Sequence, residues 1–369
     1  MALKSALQAL PSPVVDVLRF GRRSLRLVEV YVDALSWAVV DCLRYLRHQG
    51  ERPGRYTRQQ SVAHIIKTYH SLEKGLSLGA TRPGFGLTPA LRLLSLIEEF
   101  VAYHGTDPAA AVALDALGDY LKFQKSVGHD LPLITTRVEK LRQQMTALDA
   151  AERDAAAIGG VRPTSRAEII EAASVDFDRF LDSRHSIRHF DKAPVTRAQL
   201  VEACRLAQQA PSACNRQAGR AYCFAEPDKV REVLSLQPGN RGFGDTAGAA
   251  IVITASLDSY AGAGERRQAV VDGSLFAMTF VYALHSLGLG SCMLAWAVSP
   301  KVDKRLRQVA GIPDNEEVIV LLAAGQLPPS LRVPASVRLE IDAFAKIEAS
   351  DTVVPLGRPA GDEAKRAVG

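Results

Sequence analysis

Two patterns of hydrophobic and polar positions divide the chain. Through residues 1–160, apolar residues recur every three or four positions, as in PALRLLSLIEEFVAYH, which is the spacing of amphipathic helices. Thr88 and Asp107 each precede a proline, a pattern typical of an N-cap followed by the first helical residue. The first region is therefore predicted to be an all-helical N-terminal domain. Residues 151–166, which contain Gly159, Gly160 and Pro163, are predicted to link it to the rest.

The second region, residues 167–350, mixes two periodicities. Helical spacing predicts one helix over 166–182 and another over 195–210, the latter with Thr196 as its N-cap. Runs rich in branched and aromatic residues predict four strands, at residues 220–226, 249–256, 291–298 and 317–327.

A long stretch between the second and third predicted strands, AVVDGSLFAMTFVYALHSLGLG, is apolar on nearly every face and is predicted to be a buried central helix. Strands separated by helices without a regular alternation predict an α+β layered fold. Residues 351–369 are predicted to form a flexible tail.

The composition is that of an ordinary globular protein, with 47% hydrophobic and 23% charged residues. At 369 residues the chain is long enough for two domains. Its five cysteines are an odd number without a CxxC pair, which argues against a disulfide framework or a zinc site and fits a reducing cytoplasm. The N-terminus lacks the apolar core of a signal peptide, and no uncharged run is long enough to span a bilayer. We therefore expect a cytoplasmic protein.

The basic residues are concentrated near the N-terminus. The whole chain has a net charge of +5, and residues 1–60 alone hold ten Lys/Arg against five Asp/Glu, so the remainder is neutral. This distribution does not predict a nucleic-acid-binding protein. It leaves two interpretations of residues 1–60: a peripheral contact with anionic lipid or an acidic polymer, or a solvated arginine-rich helix face.

The signature motifs of several enzyme classes are absent from the sequence: no GxGxxG follows a predicted strand, and there is no Walker loop, HExxH or GxSxG. The octapeptide SRHSIRHF, in contrast, places Arg184, His185, Ser186 and Arg188 within five positions. Guanidinium groups make forked contacts to phosphate oxygens and a serine hydroxyl adds a donor, so this stretch is a candidate anion site. A solvated helix end has a similar composition, and this stretch alone leaves both interpretations open.

Three stretches taken together, by their order and spacing, resemble the FMN-dependent nitroreductase family. They are RHSIR at 184–188, PSACNRQ at 211–217 and GLGSC at 288–292. The resemblance covers residues 175–350, about half the chain. It implies a three-layer α+β fold with a central, mostly antiparallel sheet, and a homodimer with FMN bound at the subunit interface.

The resemblance also implies which residues contact the cofactor. The FMN phosphate and ribityl tail would be held by Arg184, His185, Ser186 and Arg188. The ring would be approached, from the partner subunit, by Pro211, Ser212, Asn215 and Gln217. The strand that lines the ring would contribute Met293, Leu294 and Ala295. A basic residue near the C-terminus often completes the phosphate site in this family, and two residues are candidates here, Arg332 and Arg338.

The implied activity is hydride transfer from NADH or NADPH, through FMN, to a small organic acceptor that is nitroaromatic or quinone-like in vitro. The flavin carries the chemistry, so no side chain is assigned as catalytic and no metal is expected. Two departures from the family concern the acceptor and the reductant: Ala218-Gly219 replaces Pro-Trp, and Ala295-Trp296 replaces an acidic residue and glycine. They leave an alternative, a flavin-fold protein that binds or assembles at a membrane-associated polysaccharide machinery without redox turnover.

The N-terminal region has its own dense stretch, HIIKTYHSLEKGLSLG. The phrase HSLEKGL followed by GFG resembles an extension found on nitroreductase-like proteins in bacterial polysaccharide-biosynthesis contexts. His70 and Glu73 have the spacing of a metal-ligand pair, but the stretch also fits a solvated or interface face. Because residues 151–166 are predicted to be a linker, a fragment of residues 165–369 is expected to hold the flavin by itself.

Overall fold

The computed structural model describes residues 12–50, 55–78, 81–146 and 159–349, with only the backbone described for 12–26 and 146. The predicted tail at 351–369, and the part of the predicted linker at 151–158, lie outside these residues.

The N-terminal half is helical, as predicted. Its helices are α1 (Ser12–His48), α2 (Arg58–Leu76), α3 (Leu87–His104), α4 (Pro108–Ser126) and α5 (Pro132–Thr146). The apolar stripes of α2 to α5 meet in one core, whose largest fully buried side chains include Leu72, Leu93, Ile97, Leu117 and Tyr120. The three- and four-residue spacing in the sequence thus corresponds to a helical bundle with a hydrophobic core of its own.

One of the two N-caps predicted in the N-terminal half is wrong. Asp107 caps α4, accepting a hydrogen bond from the Ala109 amide at 2.8 Å. Thr88 lies inside α3, because that helix already begins at Leu87. Gly86, which precedes Leu87, has a φ of 71° and therefore a left-handed conformation. It takes the N-cap position that the Thr88-Pro89 pattern assigned to Thr88.

The C-terminal half contains six helices and four strands within the described residues. The helices are α6 (Arg166–Ala172), α7 (Phe177–Ser183), α8 (Arg197–Ala207), α9 (Pro227–Ser235), α10 (Gln268–Ser286) and α11 (Pro300–Ala310). The strands are β1 (Gly219–Phe224), β2 (Ala249–Ser256), β3 (Leu289–Ala295) and β4 (Glu316–Gln326). The predicted single helix over 166–182 is wrong: the chain breaks after α6, and Asp176 caps α7 by accepting from the Arg179 amide.

The four strands form one antiparallel sheet in the order β1-β2-β4-β3. Alternate residues of the central strands point to opposite faces. On one face Ile251 and Ile253 pack with Phe280 of α10, and on the other Val252 packs with Leu306 of α11. The predicted α+β three-layer fold is confirmed, with helices on both faces of the sheet.

The central helix α10 is buried on one face only. Ala277 and Phe280 are buried, whereas Val270 and Leu275 are 52% and 42% exposed. Gly273 serves close packing against the sheet, since a Cβ there would lie 2.5 Å from Ile319. Over the described residues, this helix and the turn before it, 263–286, form the one helical stretch apolar and long enough to cross a membrane, and here it packs on the sheet.

The two halves meet at the end of α1 and along α2. The Gly50 amide donates to the Tyr260 carbonyl at 2.7 Å, and Arg44 lies 3.3 Å from Asp303 and 3.5 Å from Glu317. We call this contact region between the two halves the joint. Because it connects them, the division into a domain over 1–160 and another over 167–350 stays a prediction.

Candidate functional site

The basic segment, residues 184–188, follows α7 and lies along the edge of the sheet. Ser186 forms a parallel bridge with Ser291 of β3, and the Ile187 amide donates to the Ser291 carbonyl at 2.9 Å. Ile187 is buried against Gly290, where a Cβ would lie 3.0 Å from it. The sequence therefore anchors this segment through its one apolar residue, and it leaves Arg188 exposed and Arg184, His185 and Ser186 half-buried.

The positive charges of the basic segment have no negative partner within the described residues. No carboxylate there pairs with Arg184, His185 or Arg188, and the Arg188 guanidinium reaches only the Ser186 carbonyl, at 3.4 Å. Nearby, burial lowers the pKa of His285, and the charges of Arg184 and His185 lower it further. A cluster of uncompensated donors of this kind fits a phosphate group, which accepts charge-assisted hydrogen bonds.

The end of β3 provides an exposed strip beside the basic segment. Met293 is 41% exposed and Ala295 is also exposed, whereas the side chain of Leu294 is buried in the core on the other face. Burial raises the pKa of the Cys292 thiol, and the charge of Arg188 opposes this. The Ser186–Ser291 bridge thus places the basic segment beside the strand that carries Met293 and Ala295, with Leu294 able to contribute only its backbone.

The loop 211–217, between α8 and β1, has an unusual backbone. Cys214, Asn215 and Gln217 have φ values of 52°, 54° and 49°, in the left-handed region where non-glycine residues pay about 1 kcal/mol or more each. The Ser212 hydroxyl accepts from the Gln217 amide at 2.9 Å, which closes the loop. Pro211, Asn215 and Gln217 are exposed, so this conformation presents the two amide side chains at the surface.

A buried polar cluster holds the loop in this shape. Arg216 is 4% exposed, and its Nε donates to the Ala213 carbonyl at 2.9 Å. Its two terminal nitrogens donate to the carboxylate of Glu265 at 2.7 and 3.1 Å. Asp272 accepts from the Ala213 amide at 3.1 Å and from the Tyr260 hydroxyl at 2.9 Å. These four side chains form what we call the Arg216 cluster: Arg216, Tyr260, Glu265 and Asp272.

The directions in which the pKa values of Glu265 and Tyr260 shift agree with these contacts. Burial by itself would raise the pKa of Glu265, but hydrogen bonds from Arg216 and the Ala261 amide bring it below its ordinary value. Burial raises the pKa of Tyr260, and Asp272 raises it further, so the hydroxyl keeps its proton and donates it. The cluster therefore consists of the Arg216–Glu265 ion pair, the Tyr260 hydroxyl as a neutral donor and the Asp272 carboxylate as its acceptor.

Sequence reasoning missed the Arg216 cluster. One signal was present, since Asp272 is a carboxylate inside an apolar helix, where only a buried polar partner makes its burial favourable. Cys214 is half-buried in the strained turn. His285 is a packing residue: its ring lies 4.9 Å from that of Phe180 and its Nε2 lies 2.9 Å from the Ser183 hydroxyl.

The structure does not bring all predicted site residues together within this one chain. No hydrogen bond or ion pair between described residues joins the basic segment to the loop 211–217. Arg332 and Arg338 are exposed on the extended segment after β4 and make no hydrogen bond or ion pair with any described residue. His70 lies 3.5 Å from Glu73, and the described residues contain no group of three or more His, Cys, Asp or Glu that could hold a metal.

Comparisons with known proteins address this half of the chain. The nitroreductase family model matches residues 181–237 and 227–326. Residues 181–326 form a nitroreductase-family domain. This match supports a flavin-dependent oxidoreductase. No match was found among curated proteins.

Solved structures similar to the nitroreductase domain include three from clostridia. An FMN-dependent nitroreductase from Clostridium difficile R20291 is 21% identical, covering 46% of this chain and 98% of its own, with a TM-score of 0.39. A nitroreductase family protein from Clostridium difficile 630 is 22% identical over 48% of this chain and 100% of its own, with a TM-score of 0.41. One from Clostridium novyi NT is 20% identical over 42% and 87%, with a TM-score of 0.37.

Proposed function

We propose that the protein is an FMN-dependent oxidoreductase that passes hydride from NADH or NADPH to a small organic acceptor. The observation that carries this proposal is the basic segment, whose positive charges lie uncompensated beside the exposed end of β3. FMN, when bound, supplies the hydride chemistry, so the protein has to bind, orient and shield it rather than provide an acid or base.

The residues of this chain have distinct tasks in that proposal. Arg184, His185, Ser186 and Arg188 hold the phosphate. Asn215 and Gln217 present amide groups that can donate to and accept from the polar edge of the ring. Met293 and Ala295 provide an apolar surface on which the ring packs, and the backbone of Leu294 lines it.

The first test is the visible absorption spectrum of the purified full-length protein, followed by release and identification of any chromophore. A yellow protein that yields FMN at about one per subunit and oxidises NADH or NADPH supports the proposal. A colourless protein that takes up no added FMN contradicts it, and the basic segment would then be a solvated helix end.

We further propose that the protein is a homodimer in which the loop 211–217 of one subunit completes the site of the other. Two exposed apolar surfaces support this. On α10, Val270, Val271 and Leu275 are 52%, 49% and 42% exposed, and after β4 the extended segment exposes Leu339 and Phe344 at 73% and 71%. Solvated apolar area of this extent is typical of an interface.

The dimer is tested by light scattering on Val271→Asp, with Val201→Asp as a matched control, since Val201 is 51% exposed on α8. We expect Val271→Asp to shift the protein to monomer and to weaken FMN binding, while Val201→Asp stays dimeric. A wild-type monomer that binds FMN at full occupancy would contradict the dimer.

The wall of the acceptor pocket should differ from that of relatives with Pro-Trp after the glutamine, because Phe276 packs directly against Gly219. Ala218 is fully buried, and Gly219 contacts Phe276 so closely that a Cβ would lie 2.6 Å from that ring. We propose quinone-like and nitroaromatic compounds as artificial acceptors, and a physiological acceptor connected with polysaccharide synthesis, on the basis of the HSLEKGL resemblance. Steady-state assays with both acceptor classes test the first part.

One observation favours a second function, attachment to a membrane surface. Helix α1 exposes a broad apolar face over its described side chains: Leu27, Val28, Val30, Tyr31, Val32, Leu35, Val39, Val40, Leu43 and Leu46 are 42% to 68% exposed. Residues 1–60 also have the chain's whole excess of positive charge. An amphipathic helix with basic neighbours is suited to an anionic bilayer.

Vesicle sedimentation tests this attachment. We expect the full-length protein to sediment with phosphatidylserine-containing vesicles and less with pure phosphatidylcholine, and Leu35→Asp to release it. If sedimentation is absent while Leu35→Asp changes the oligomeric state, the face packs against a second copy instead.

A further inference from the structure

The segment that carries Tyr260 and Glu265 is held by the helical half. The Gly50 amide donates to the Tyr260 carbonyl at 2.7 Å, and the Gln49 side chain accepts from the Gly262 amide at 3.1 Å. Lys67 of α2 lies 3.5 Å from Glu265. Thus two of the four members of the Arg216 cluster belong to a segment whose backbone is fixed by residues from the other half of the chain.

An apolar contact reinforces this connection. Tyr45 of α1 is 6% exposed, and it packs in one small cluster with Tyr260 and with Ala218, the residue that follows the loop. Its hydroxyl also donates to the Gly262 carbonyl at 2.6 Å. The helical half therefore contacts the loop region both through hydrogen bonds and through packing.

The joint is too closely packed to be a ligand pocket of its own. The cavity between the halves, lined by His64, Lys67, Arg216 and Tyr260 among others, has a volume of about 10 Å³. This is near the minimum for a single water molecule. The polar side chains of this joint therefore contact neighbouring protein groups and hold the segments beside them in place.

Arg216 connects the segment held by the helical half to the loop 211–217. Its side chain is 2% exposed, so it cannot itself contact a cofactor. It lies between Asn215 and Gln217, and its Nε holds the carbonyl of Ala213 while Asp272 holds the Ala213 amide. Both backbone polar groups of Ala213 are therefore held immediately before the left-handed residues Cys214 and Asn215.

We propose that Arg216 is a positioning residue, and that the helical half, by holding Tyr260 and Glu265 against it, keeps the loop 211–217 in the conformation that presents Asn215 and Gln217 to FMN. This inference rests on the proposed FMN-binding function. It assigns the N-terminal half a task inside the flavin site rather than a separate activity.

The test compares two glutamate substitutions in the full-length protein. Glu265→Gln weakens the buried pair with Arg216. Glu202→Gln weakens a similar two-bond pair with Arg205 on α8, with distances of 2.6 and 2.8 Å, but at the exposed surface and away from the loop. The readouts are amide hydrogen exchange of residues 211–218 without FMN, and the FMN dissociation constant from fluorescence quenching.

We expect Glu265→Gln to raise exchange in 211–218 about tenfold and the FMN dissociation constant about tenfold. Glu202→Gln should change both by less than about twofold. Arg216→Lys, which keeps the charge but loses the forked geometry, should fall between the two, and it replaces Glu265→Gln if that variant does not fold. Wild-type exchange and affinity in the tested variant would overturn the proposal.

The contribution of the helical half is tested by a second matched pair. Tyr45→Phe removes a hydroxyl bonded to the Gly262 carbonyl, and Tyr120→Phe removes one bonded to the Phe85 carbonyl at 2.9 Å inside the helical core. We expect increased exchange in 211–218 for Tyr45→Phe only. Equal exchange in both variants would show that the helical half does not hold the loop.

The exchange measurement needs no cofactor, so it separates the two proposals. If the wild-type protein binds no FMN, the proposed function fails, yet faster exchange in Glu265→Gln would still establish the positioning of the loop. If FMN binds and exchange is the same in every variant, the positioning role alone is wrong.

Discussion

The basic segment 184–188 and the loop 211–217 both present polar groups at the surface, but they are built differently. The basic segment lies on β3 through two backbone contacts, and its charged side chains have no carboxylate partner among the described residues. The loop has a strained backbone, and its charge, on Arg216, is buried and doubly bonded to Glu265. In one segment charge remains available for a ligand, and in the other charge determines the shape of the chain.

This difference predicts which substitutions change FMN affinity and which also change the free energy of unfolding. An exposed, unpaired charge costs little to remove from the folded protein, whereas breaking a buried pair leaves an uncompensated group in the interior. Substitutions in the basic segment should therefore change FMN affinity and leave unfolding alone, and substitutions in the Arg216 cluster should change both.

The largest effect on affinity is expected from Arg184→Ala combined with Arg188→Ala. Each charge-assisted contact is worth about 1.5–3 kcal/mol, so FMN affinity should fall about 10²- to 10⁴-fold. The melting temperature without FMN should stay at the wild-type value. Fluorescence quenching and thermal unfolding measure the two quantities.

Arg197→Ala together with Arg205→Ala is the matched control, since both side chains are exposed on α8 and lie outside the basic segment. It should leave affinity nearly unchanged. Unaltered flavin content in the Arg184/Arg188 variant after gel filtration would remove the phosphate assignment.

The next effect is on stability, from Arg216→Met. This change leaves the Glu265 carboxylate, whose side chain is 27% exposed, with only Lys67 and the Ala261 amide as partners. We expect the free energy of unfolding to fall by about 2–4 kcal/mol. Arg205→Met removes a pair whose arginine is 59% exposed and should lower the free energy of unfolding by much less than Arg216→Met does. Equal urea midpoints for the two variants would mean that the buried pair contributes no more than the exposed one.

The contrast between the two segments also explains what the sequence could predict. Arg184, His185, Ser186 and Arg188 are adjacent in the chain, so their charge density is visible in any window that contains them. The strands and the central helix were likewise predictable, because local periodicity determines them.

The Arg216 cluster was not predictable in the same way, because its members come from 216, 260, 265 and 272 and meet only after β1, β2 and α10 are in place. The positive φ values of Cys214, Asn215 and Gln217 had no glycine signal either, since tertiary hydrogen bonds impose them. The break between α6 and α7 was not predicted for a related reason. The sequence pattern is helical throughout, and the cap that Asp176 provides to α7 outweighs it.

Removal of the helical half should lower FMN affinity less than the Arg184/Arg188 double substitution does. A fragment of residues 165–369 was expected from its sequence to hold the flavin alone. The structure instead predicts weaker binding, because the fragment exposes Tyr260, which is 1% exposed in the whole chain, and loses Gly50, Tyr45 and Lys67. We expect FMN affinity to fall about tenfold or more. A soluble fragment with wild-type affinity would show that the nitroreductase domain positions its own loop.

The smallest effect is expected from the pH dependence of the joint. Burial lowers the pKa of His64, whose Nε2 lies 3.3 Å from the Gly50 carbonyl, below its ordinary 6.5. The folded state therefore favours neutral His64, so its contribution is complete above pH 6.5 and is lost as pH falls through the folded-state pKa. Glu265, with a pKa below 4.5, contributes above that range and loses its contribution only at lower pH.

The free energy of unfolding, measured by urea at pH 7.5 and at about pH 5.5, should therefore decrease on acidification, by less than the effect of Arg216→Met. Burial lowers the pKa of His285 too, so a wild-type slope alone does not identify the group. His64→Asn should flatten the slope and His285→Asn should flatten it separately. Only the first should remove the pH dependence of the amide protection factors in 211–218, which are corrected for the intrinsic change of exchange with pH, because His64 borders the segment that carries Glu265. Protection factors that keep their pH dependence in His64→Asn would show that the joint does not transmit this protonation to the loop.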